Sequence, residues 1–432
     1  MKRLKVALIG AGSTYTPELM EGFINRKDSL PVGKLYLMDI DDTKLNIVGS
    51  LAQRQIAAAG LDCEVILTKS LENSLVDADF VLAQIRVGKL PARVLDERIP
   101  LKYDLIGQET NGIGGFFKGM RTIPEIMKIA KKMEELCPNA WLINFSNPAG
   151  MITEAILNFT KVKMIGVCNV PINMIDSLKK RLKLENAEVE YVGLNHLSWV
   201  TSIKQDGVDY LQKAIKEGIN SEAMKNIPAS GFSAELIKTV GAIPSSYLEY
   251  YYFKDSKLEK AKAVEKTRGE VCMDIEKELL DIYSNSELHE KPELLSRRGG
   301  ARYSEVAVNL IDSIYNDKQD VQVVNVLNNG ALDFMADNDA IEISCIIGKE
   351  GPQPIRAKIK NEHIKEYMKM MKAYEKHAVV AALTGDEDEA MKALMINPLV
   401  FDYHKAYPCF QELKEAHKEH LPQFFKDNKW KK

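Results

Sequence analysis

The sequence is poor in the features that mark several protein classes. Its apolar runs stop well short of the about 20 uninterrupted residues that a membrane-spanning helix needs. It contains no internal repeat, low-complexity tract or Gly/Ser-rich linker. Its six cysteines are scattered over 432 residues without a CxxC pair, which argues against a disulfide framework or a zinc ribbon. These absences predict a globular protein without a membrane partner.

An excess of positive charge is also missing. The chain carries 61 acidic residues against 58 lysines and arginines, a net charge of −3. A general nucleic-acid binder needs a basic face that displaces counterions from phosphate, so we expect no nucleic-acid partner, although local basic pockets stay open. The first apolar run, Leu4 to Ile9, is too short for the core of a signal peptide and precedes no cleavage site. This predicts a cytoplasmic protein.

The first 170 residues alternate short apolar runs with longer amphipathic segments such as Thr43 to Ala59 and Ile123 to Leu136. Nearly continuous apolar strands are typical of a parallel sheet covered on both faces, so the alternation predicts a doubly wound α/β fold. The strand-length runs are Leu4 to Ile9, Leu35 to Ile40, Val65 to Thr68, Phe80 to Ile85, Trp141 to Phe145 and Met164 to Val167.

After Pro171 the pattern changes, and we expect a mixed α+β domain over 171–432 that packs on the first domain. Helical periodicity covers Asn173 to Leu182, Ala261 to Tyr283 and Glu362 to Leu383. Strand-like runs lie at Glu188 to Leu194, Ser198 to Gln205, Val321 to Leu327 and Ala340 to Ile347. The charged tail from Lys414 to Lys432 is predicted to be an exposed helix with a frayed end.

The first predicted strand ends in a glycine-containing loop that can bring backbone N–H groups against a pyrophosphate at a helix N-terminus. The loop residues expected to contact a dinucleotide cofactor through its pyrophosphate are Gly10, Gly12, Ser13 and Thr14. Tyr15 takes the place of the usual third glycine, so the loop alone is a weak signal. Asp39 closes the second strand, where a carboxylate binds an adenosine ribose and disfavours a 2′-phosphate. We therefore predict a Rossmann-type NAD-binding domain over 1–170, with a turn that binds no ligand as the alternative.

Polar residues follow the ends of later strands, where ligands collect in open α/β sheets. Amides and guanidinium groups can simply cap helices, but several at successive strand ends form a costly polar lining unless a polyhydroxylated or anionic substrate pairs with them. These polar segments run from Gln84 to Gly112, from Asn144 to Pro148, from Gly166 to Pro171 and from Gly193 to His196.

Cys168 and His196 are candidates for half of a transition-metal site. Thiolate and imidazole together suit a borderline metal, and completion by substrate oxygens would shift the preference towards manganese. An isolated cysteine and histidine are more often packed or hydrogen-bonded, so the residues themselves leave both interpretations open.

In order and spacing, these segments resemble glycoside hydrolase family 4. The resemblance extends from Lys5 to about Asp333 and is far more specific than the glycine loop. Its motifs are Ile85 to Gly88, Arg93 to Pro100, Gly107 to Thr110, Gly114 to Phe116, Asn144 to Pro148, Cys168 to Pro171, Gly193 to His196 and Tyr247 to Tyr251. The resemblance implies a fold similar to that of lactate and malate dehydrogenases.

The resemblance also implies an unusual hydrolysis, outside the usual two-carboxylate mechanism. NAD⁺ takes a hydride from C3 of the sugar, a base removes the acidified C2 proton, the glycosidic oxygen leaves by elimination, water adds, and the hydride returns. Mn²⁺ or another divalent metal, held by Cys168 and His196, would bind the sugar O2 and O3. Tyr247 would be the C2 base, and a metal or nearby cation would have to lower its pKa from about 10. Without the resemblance, we would interpret the tyrosines from 247 to 252 as an aromatic stripe with a packing role only.

The same resemblance implies roles for other residues. Asn169 stands where relatives acting on α-linked phosphosugars carry an aspartate, so it points to β-glucosides and supplies no carboxylic acid for the leaving group. Arg93 and Arg268 match arginines at the substrate phosphate. For Arg268 a helix-face position is the alternative, because its surrounding motif is weak. Two further phosphate candidates are Arg298 and Arg302.

Asn147 would bind sugar hydroxyls, and Glu109 would orient the nicotinamide or a water. The resemblance thus implies hydrolysis of phosphorylated β-glucosides and disaccharides of the cellobiose 6-phosphate type by a homodimer or homotetramer. The alternatives are another sugar specificity within family 4, an NAD-dependent dehydrogenase of 2-hydroxy acids, and a non-catalytic NAD-binding regulator.

Overall fold

One mixed β-sheet runs through the part of the chain that the computed structural model describes, residues 3–218, 231–298 and 302–425. The strands are β1 (Leu4–Ile9), β2 (Val32–Met38), β3 (Glu64–Thr68), β4 (Phe80–Ala83), β5 (Trp141–Asn144), β6 (Lys163–Gly166), β7 (Glu188–Leu194), β8 (Leu197–Gln205), β9 (Val208–Asp209), β10 (Ile243–Pro244), β11 (Asp320–Leu327), β12 (Ala340–Gly348) and β13 (Gly351–Pro354). Their order is β10-β8-β7-β12-β11-β6-β5-β4-β1-β2-β3, with β9 beside β8 and β13 beside β12.

Helices connect and cover these strands. They are α1 (Thr16–Ile24), α2 (Asp42–Ala58), α3 (Leu71–Leu75), α4 (Lys89–Arg98), α5 (Gly112–Leu136), α6 (Ala149–Phe159), α7 (Asn169–Leu182), α8 (Leu211–Lys216), α9 (Ala234–Val240), α10 (Glu249–Tyr252), α11 (Lys254–Ala263), α12 (Arg268–Tyr283), α13 (Leu295–Arg298), α14 (Tyr303–Asn316), α15 (Glu362–Thr384), α16 (Glu387–Ile396), α17 (Tyr403–Ala416) and α18 (Pro422–Phe425). Short 3₁₀ turns cover Pro100–Tyr103, Ser246–Leu248 and Lys418–His420. In the described ranges no helix is both long and apolar enough to cross a bilayer.

The first half of the chain forms the parallel part of the sheet. Strands β3, β2, β1, β4, β5 and β6 lie side by side and are all parallel, and the central strand β4 is buried along its whole length. The direction of chain progression reverses between β1 and β4, where α/β sheets of this order bind their ligands. The doubly wound fold and its six strands are therefore confirmed.

The second half extends the same sheet with antiparallel strands. Asn325 of β11 pairs with Gly166 of β6, and β12, β7, β8 and β10 follow in antiparallel order. The four strand-like runs predicted after Pro171 are therefore confirmed. Because one sheet crosses the boundary near residue 170, the division into domains over 1–170 and 171–432 stays a prediction.

Two predicted helical segments are wrong in detail. The segment from Ala261 to Tyr283 is broken between α11 and α12, because Thr267 begins a new helix with a capping box: its N–H donates to Glu270 Oε2 at 2.6 Å while its hydroxyl accepts from the Glu270 N–H. The tail is not uniformly exposed, since His417 and Leu421 are buried against the core. Residues 426–432 of the tail lie outside the described ranges.

Candidate functional site

A cavity of about 980 Å³ lies at the carboxyl ends of the parallel strands, next to the point where the strand order reverses. Its volume is in the range of small-molecule and cofactor sites. The predicted site residues that line it are Gly10, Gly12, Ser13, Asp39, Arg93, Glu109, Asn147, Asn169, Tyr247 and Arg268. Residues far apart in sequence therefore meet in one cavity.

The glycine loop forms one end of this cavity. Gly10 has a positive φ of 88°, and a Cβ there would lie 2.8 Å from the Gln84 carbonyl oxygen. The Gly12 N–H donates to Asp39 Oδ2 at 2.8 Å, and a Cβ on Gly12 would lie 2.9 Å from the same oxygen. A side chain at either position would collide with Gln84 or Asp39 and displace the loop in front of α1. The space therefore fits a dinucleotide whose pyrophosphate lies at the helix N-terminus.

Thr14 and Tyr15 differ from the other loop residues. Thr14 is fully buried away from the cavity, and its carbonyl oxygen accepts the Tyr283 hydroxyl at 2.9 Å. Tyr15, in the place of the third glycine, lines the cavity instead, and the Arg298 guanidinium lies over its ring at 4.6 Å from the centroid.

Glu109 lies at the centre of a cationic cluster, which we define as Arg86, Arg93 and Lys118. Arg86 Nη1 donates to Glu109 Oε1 at 2.5 Å, and Arg93 Nη1 lies 2.6 Å from Oε2. Lys118 also donates to Oε1. Burial would raise the pKa of Glu109, but the three cations hold it well below its ordinary value. Glu109 is therefore an anion that orders three cations at the cavity wall.

Lys118 is the most deeply buried cation of this cluster. It is 4 % exposed and reaches the cavity from the second turn of α5. Burial and the neighbouring Arg86 lower its pKa to about 7, although Glu109 acts in the opposite direction. A buried lysine of this kind exchanges a proton near neutral pH, which is a common property of functional sites.

Cys168 and His196 lie just behind the cavity wall. Cys168 Sγ and His196 Nε2 are 3.6 Å apart, and both residues are 4 % exposed. Zinc–sulfur and zinc–nitrogen bonds of about 2.3 and 2.0 Å at a tetrahedral angle place the two ligand atoms about 3.5 Å apart, so the Cys168–His196 spacing is in the range of a shared divalent metal. Burial lowers the pKa of His196 to about 3, which keeps its imidazole neutral, and raises that of the Cys168 thiol.

Cys168 and His196 stay the candidate metal ligands at this point. In the parts of the chain that the structure describes, no group of three or more His, Cys, Asp or Glu side chains is arranged as a metal site. A metal held by Cys168 and His196 would therefore take its other ligands from water or substrate oxygens.

Tyr247 connects this pair to the cavity. Its ring is stacked on the His196 ring, with centroids 3.8 Å apart and planes 8° from parallel. Burial raises the pKa of the Tyr247 phenol, Cys168 and Tyr250 add to this effect, and a hydrogen bond to Thr110 opposes it. The role of Tyr247 as C2 base stays a prediction.

The run of tyrosines is divided between packing and the cavity. Tyr251 and Tyr252 pack against Tyr367, and the Tyr252 hydroxyl lies 2.9 Å from His363 Nε2. Tyr247 and Tyr250 face the cavity. The interpretation as a packing stripe therefore holds for Tyr251 and Tyr252 and not for Tyr247 and Tyr250.

The predicted phosphate arginines occupy different environments. Both ends of the Arg93 guanidinium are engaged by carboxylates, those of Glu97 at 2.7 Å and Glu109 at 2.6 Å. Arg268 lines the cavity and donates to the carbonyl oxygens of residues 297 and 298 at 2.9 and 2.8 Å. Arg302 pairs with Asp176 and Glu305 outside this cavity.

Arg298 is an arginine at the cavity that keeps buried donors without a partner among the described residues. It is 8 % exposed, and its Nη2 lies 3.1 Å from Glu276 Oε2. Its Nε and Nη1 have no hydrogen-bond partner among the described residues. A buried guanidinium with two unsatisfied nitrogens is costly unless an anion binds to it.

Arg86 and Lys118 are functional candidates that the sequence analysis did not select. Lys118 carried a usable signal, because it stands within Ile113 to Met120, a stretch of α5 that is otherwise small or apolar and fully buried. A lysine is almost never buried unless it is paired. The convergence of Arg86 with Lys118 had no sequence signal, since it depends on the packing of α5 against the loop after β4.

Comparison with known proteins shows the family of the chain. Residues 5–184 match the model of the family 4 glycosyl hydrolases, and residues 191–400 match that of the family 4 glycosyl hydrolase C-terminal domain. A probable 6-phospho-beta-glucosidase from Bacillus subtilis (strain 168) is 47% identical over 435 residues, which cover 98% of each chain.

Solved structures show the same likeness. The 6-phospho-beta-glucosidase from Thermotoga maritima, solved with manganese, NAD+ and glucose-6-phosphate, has a TM-score of 0.89 and 32% identity over 97% of this chain and 99% of its own. A lactate dehydrogenase from Eimeria maxima, with a TM-score of 0.55 and 17% identity over 89% of this chain and 96% of its own, shares the fold alone. The predicted likeness to this dehydrogenase fold is confirmed.

Proposed function

The chain belongs to family 4 of the glycosyl hydrolases, and from this premise we propose that it hydrolyses β-linked 6-phosphoglucosides of the cellobiose 6-phosphate type. The observation that carries the proposal is that one cavity joins three parts: the dinucleotide cradle, the Cys168–His196 pair under Tyr247, and the buried cations. The names of the Bacillus and Thermotoga relatives support this substrate class, and Asn169 supports the β-linkage.

The chain's own residues hold two cofactors in this proposal. NAD⁺, when bound, takes a hydride from C3 of the sugar and later returns it. A divalent metal such as Mn²⁺, when bound, supplies a Lewis acid for the sugar oxygens. Gly10, Gly12 and Ser13 cradle the pyrophosphate, and Asp39 accepts the ribose hydroxyls. Cys168 and His196 hold the metal.

Tyr247 removes the C2 proton. Its phenol is a poor base while burial raises its pKa. Because its ring is stacked on the His196 ring, a cation bound by His196 is a close neighbour of the phenol and lowers its pKa. Asn169 is an amide at the start of α7 and cannot act as a carboxylic acid, so the proton for the leaving group comes from another donor.

Arg298 binds the 6-phosphate. Each of its two unpartnered nitrogens can donate a charge-assisted hydrogen bond to a phosphate oxygen, whereas the guanidinium of Arg93 is already held by two carboxylates. Arg268, which lines the same cavity, adds a second positive charge. Arg93 acts by ordering Glu109 and the cationic cluster.

A hydrolysis assay with chromogenic β-glucosides tests the proposal. With Mn²⁺, NAD⁺ and a reductant present, the 6-phosphorylated β-glucoside should be cleaved, and the unphosphorylated β-glucoside and the 6-phosphorylated α-glucoside should be much poorer substrates. In deuterated water, C2 of the released sugar should acquire deuterium. Hydrolysis without exchange at C2 would contradict the elimination mechanism.

The same assay separates the alternatives. A dehydrogenase would accumulate NADH in proportion to product, whereas the hydrolase recycles its cofactor and shows no net rise in NADH absorbance. A regulator would bind NAD⁺ without turnover. We also expect the enzyme to be a cytoplasmic homodimer or homotetramer. Light scattering after size-exclusion chromatography measures the oligomeric state, and cell fractionation tests the location.

A further inference from the structure

A buried carboxylate lies behind the Cys168–His196 pair and has no part in the proposed chemistry. Glu342 on β12 is 1 % exposed. Its Oε1 accepts hydrogen bonds from Asn195 Nδ2 and Asn325 Nδ2, both at 3.0 Å, and its Oε2 accepts the Tyr191 hydroxyl at 3.2 Å. All three donors are neutral, so the carboxylate is fixed by hydrogen bonds rather than by an ion pair. Burying such a group is costly, and this cost needs a compensating role.

The first arm of this network fixes the turn that carries His196. Leu194 pairs with Leu197, so Asn195 and His196 form a two-residue turn between β7 and β8. His196 has a φ of 65°, in the left-handed region that non-glycine residues rarely adopt. Such a conformation persists where surrounding contacts over-determine it. The Asn195 side chain provides one of these contacts, because it ties the turn to Glu342 on the neighbouring strand.

The second arm reaches the segment that carries Cys168. The Asn325 side chain donates to Glu342 and also to the Gly166 carbonyl oxygen at 3.3 Å. Gly166 closes β6, two residues before Cys168, and pairs with Asn325 across the junction of the parallel and antiparallel parts of the sheet. One carboxylate therefore joins two chain segments, each of which carries one of the paired side chains.

We infer that Glu342 is a positioning residue that fixes His196 relative to Cys168 through Asn195 and Asn325, and thereby sets the affinity of the pair for a divalent metal. This inference rests on the proposed function, because it assumes that the pair binds metal. Residues that orient metal ligands from behind usually contribute about ten- to a hundredfold in affinity. The effect is geometric: Glu342 need not contact the metal.

Metal titration of the NAD⁺-saturated full chain tests the inference without an activity readout. Calorimetry gives the Mn²⁺ dissociation constant, and Co²⁺ in place of Mn²⁺ gives a thiolate-to-cobalt absorption band that reports on the bond to Cys168. Glu342→Ala removes both arms and should weaken Mn²⁺ binding about tenfold or more, with a weaker or shifted cobalt band. Glu342→Gln keeps an acceptor oxygen for both asparagines and should stay within about threefold of the unsubstituted chain.

Two further variants keep the test decisive if Glu342→Ala fails to fold. Asn195→Ala removes the contact between the turn and Glu342, together with the Asn195 hydrogen bond to the Cys168 thiol, and should weaken Mn²⁺ binding in the same direction. Glu154→Gln is the matched control: Glu154 is also buried and accepts the Ala340 N–H of β12 at 2.7 Å, but it pairs with Lys372 and belongs to a different network. It should lower thermal stability and leave the Mn²⁺ affinity unchanged.

The outcomes separate this inference from the proposed function. Unchanged Mn²⁺ affinity in both Glu342→Ala and Asn195→Ala, or in Asn195→Ala alone where Glu342→Ala does not fold, overturns the inference and leaves the proposed function intact. Equal weakening in Glu342→Gln and Glu342→Ala also overturns it, because charge rather than positioning would then be responsible. Absence of Mn²⁺ binding by the unsubstituted chain contradicts both.

Discussion

Replacing Lys118 by methionine should stabilise the protein at mildly acidic pH, although it removes a partner of Glu109. Lys118 is buried in α5 and faces Arg86 and Arg93 as well as the carboxylate. Burial and the two arginines outweigh Glu109, so its pKa falls from 10.5 to about 7. Methionine has a similar shape and no charge, and Glu109 keeps its two arginine partners. The substitution therefore removes an unfavourable charge without leaving an unpaired one.

The size of this effect depends on pH, and its sign follows from proton binding. Between pH 7 and 10.5 the unfolded chain holds the Lys118 proton while the folded protein has released it, so stability rises with pH over this window. Full stability is reached above pH 10.5 and is lost as the pH falls to about 7. Below about pH 7 the charged form is buried at a cost, and Lys118→Met should recover about 1–4 kcal/mol of it.

Urea unfolding at pH 6 and pH 9.5 measures this difference. Lys118→Met should be more stable than the unsubstituted chain at pH 6, and the gain should shrink to about 1 kcal/mol or less at pH 9.5. Lys131→Met is the matched control, because Lys131 lies on the same helix with its side chain half exposed and pairs with Glu134. It should show no pH-dependent gain. A Lys118→Met variant that is less stable at pH 6, or whose gain is the same at both pH values, would refute the reasoning.

Three other substitutions test separate parts of the structure. Tyr247→Phe should lower kcat by about 10²–10⁴-fold and abolish deuterium exchange at C2, measured by NMR, because it removes the proposed base; unchanged exchange would exclude that role. Arg298→Met should raise KM for the 6-phosphorylated substrate roughly ten- to hundredfold, because a charge-assisted hydrogen bond is lost, whereas Arg302→Met should not; equal KM values in steady-state kinetics would contradict the assignment. Asp96→Asn should lower the free energy of unfolding in urea by about 3–5 kcal/mol, because the buried Arg121 loses its bidentate partner; a loss below about 1 kcal/mol would show that the pair is not needed.

The strands of the parallel sheet were predictable because each is a short apolar run with its own turn signals. The start of α5 was not. Gly112 to Gly115 resembles a loop in sequence, but these residues form the first turn of the helix. A Cβ on Gly115 would lie 2.2 Å from the Thr110 carbonyl carbon, and one on Gly114 would lie 2.5 Å from the Gln108 oxygen. The glycines are therefore required by close packing under the preceding loop, which no local pattern reveals.

The site also contains residues that were predictable from the sequence and residues that were not. Gly10, Gly12 and Asp39 were predictable because their chemistry depends on local backbone geometry at two adjacent strand ends. The residues themselves left the pairing of Cys168 with His196 open and the family resemblance favoured it, since their contact depends on a turn between β7 and β8 that lies far from β6 in sequence. Arg298 was indistinguishable from its neighbours by sequence, because what selects it is the absence of partners for two of its nitrogens within the described residues.

The small net charge of the chain conceals a strong local field. Arg86 and Arg93 balance Glu97 and Glu109 where they meet, and Lys118 makes this wall positive at and below about pH 7 in a protein whose total charge is −3. Charges held in a buried cluster are screened by salt much less than surface charges are. A phosphorylated sugar can therefore be attracted into the cavity by these cations. The same packing that lowers the pKa of Lys118 holds it at the cavity beside Glu109, and a destabilising lysine of this kind is compatible with a functional site.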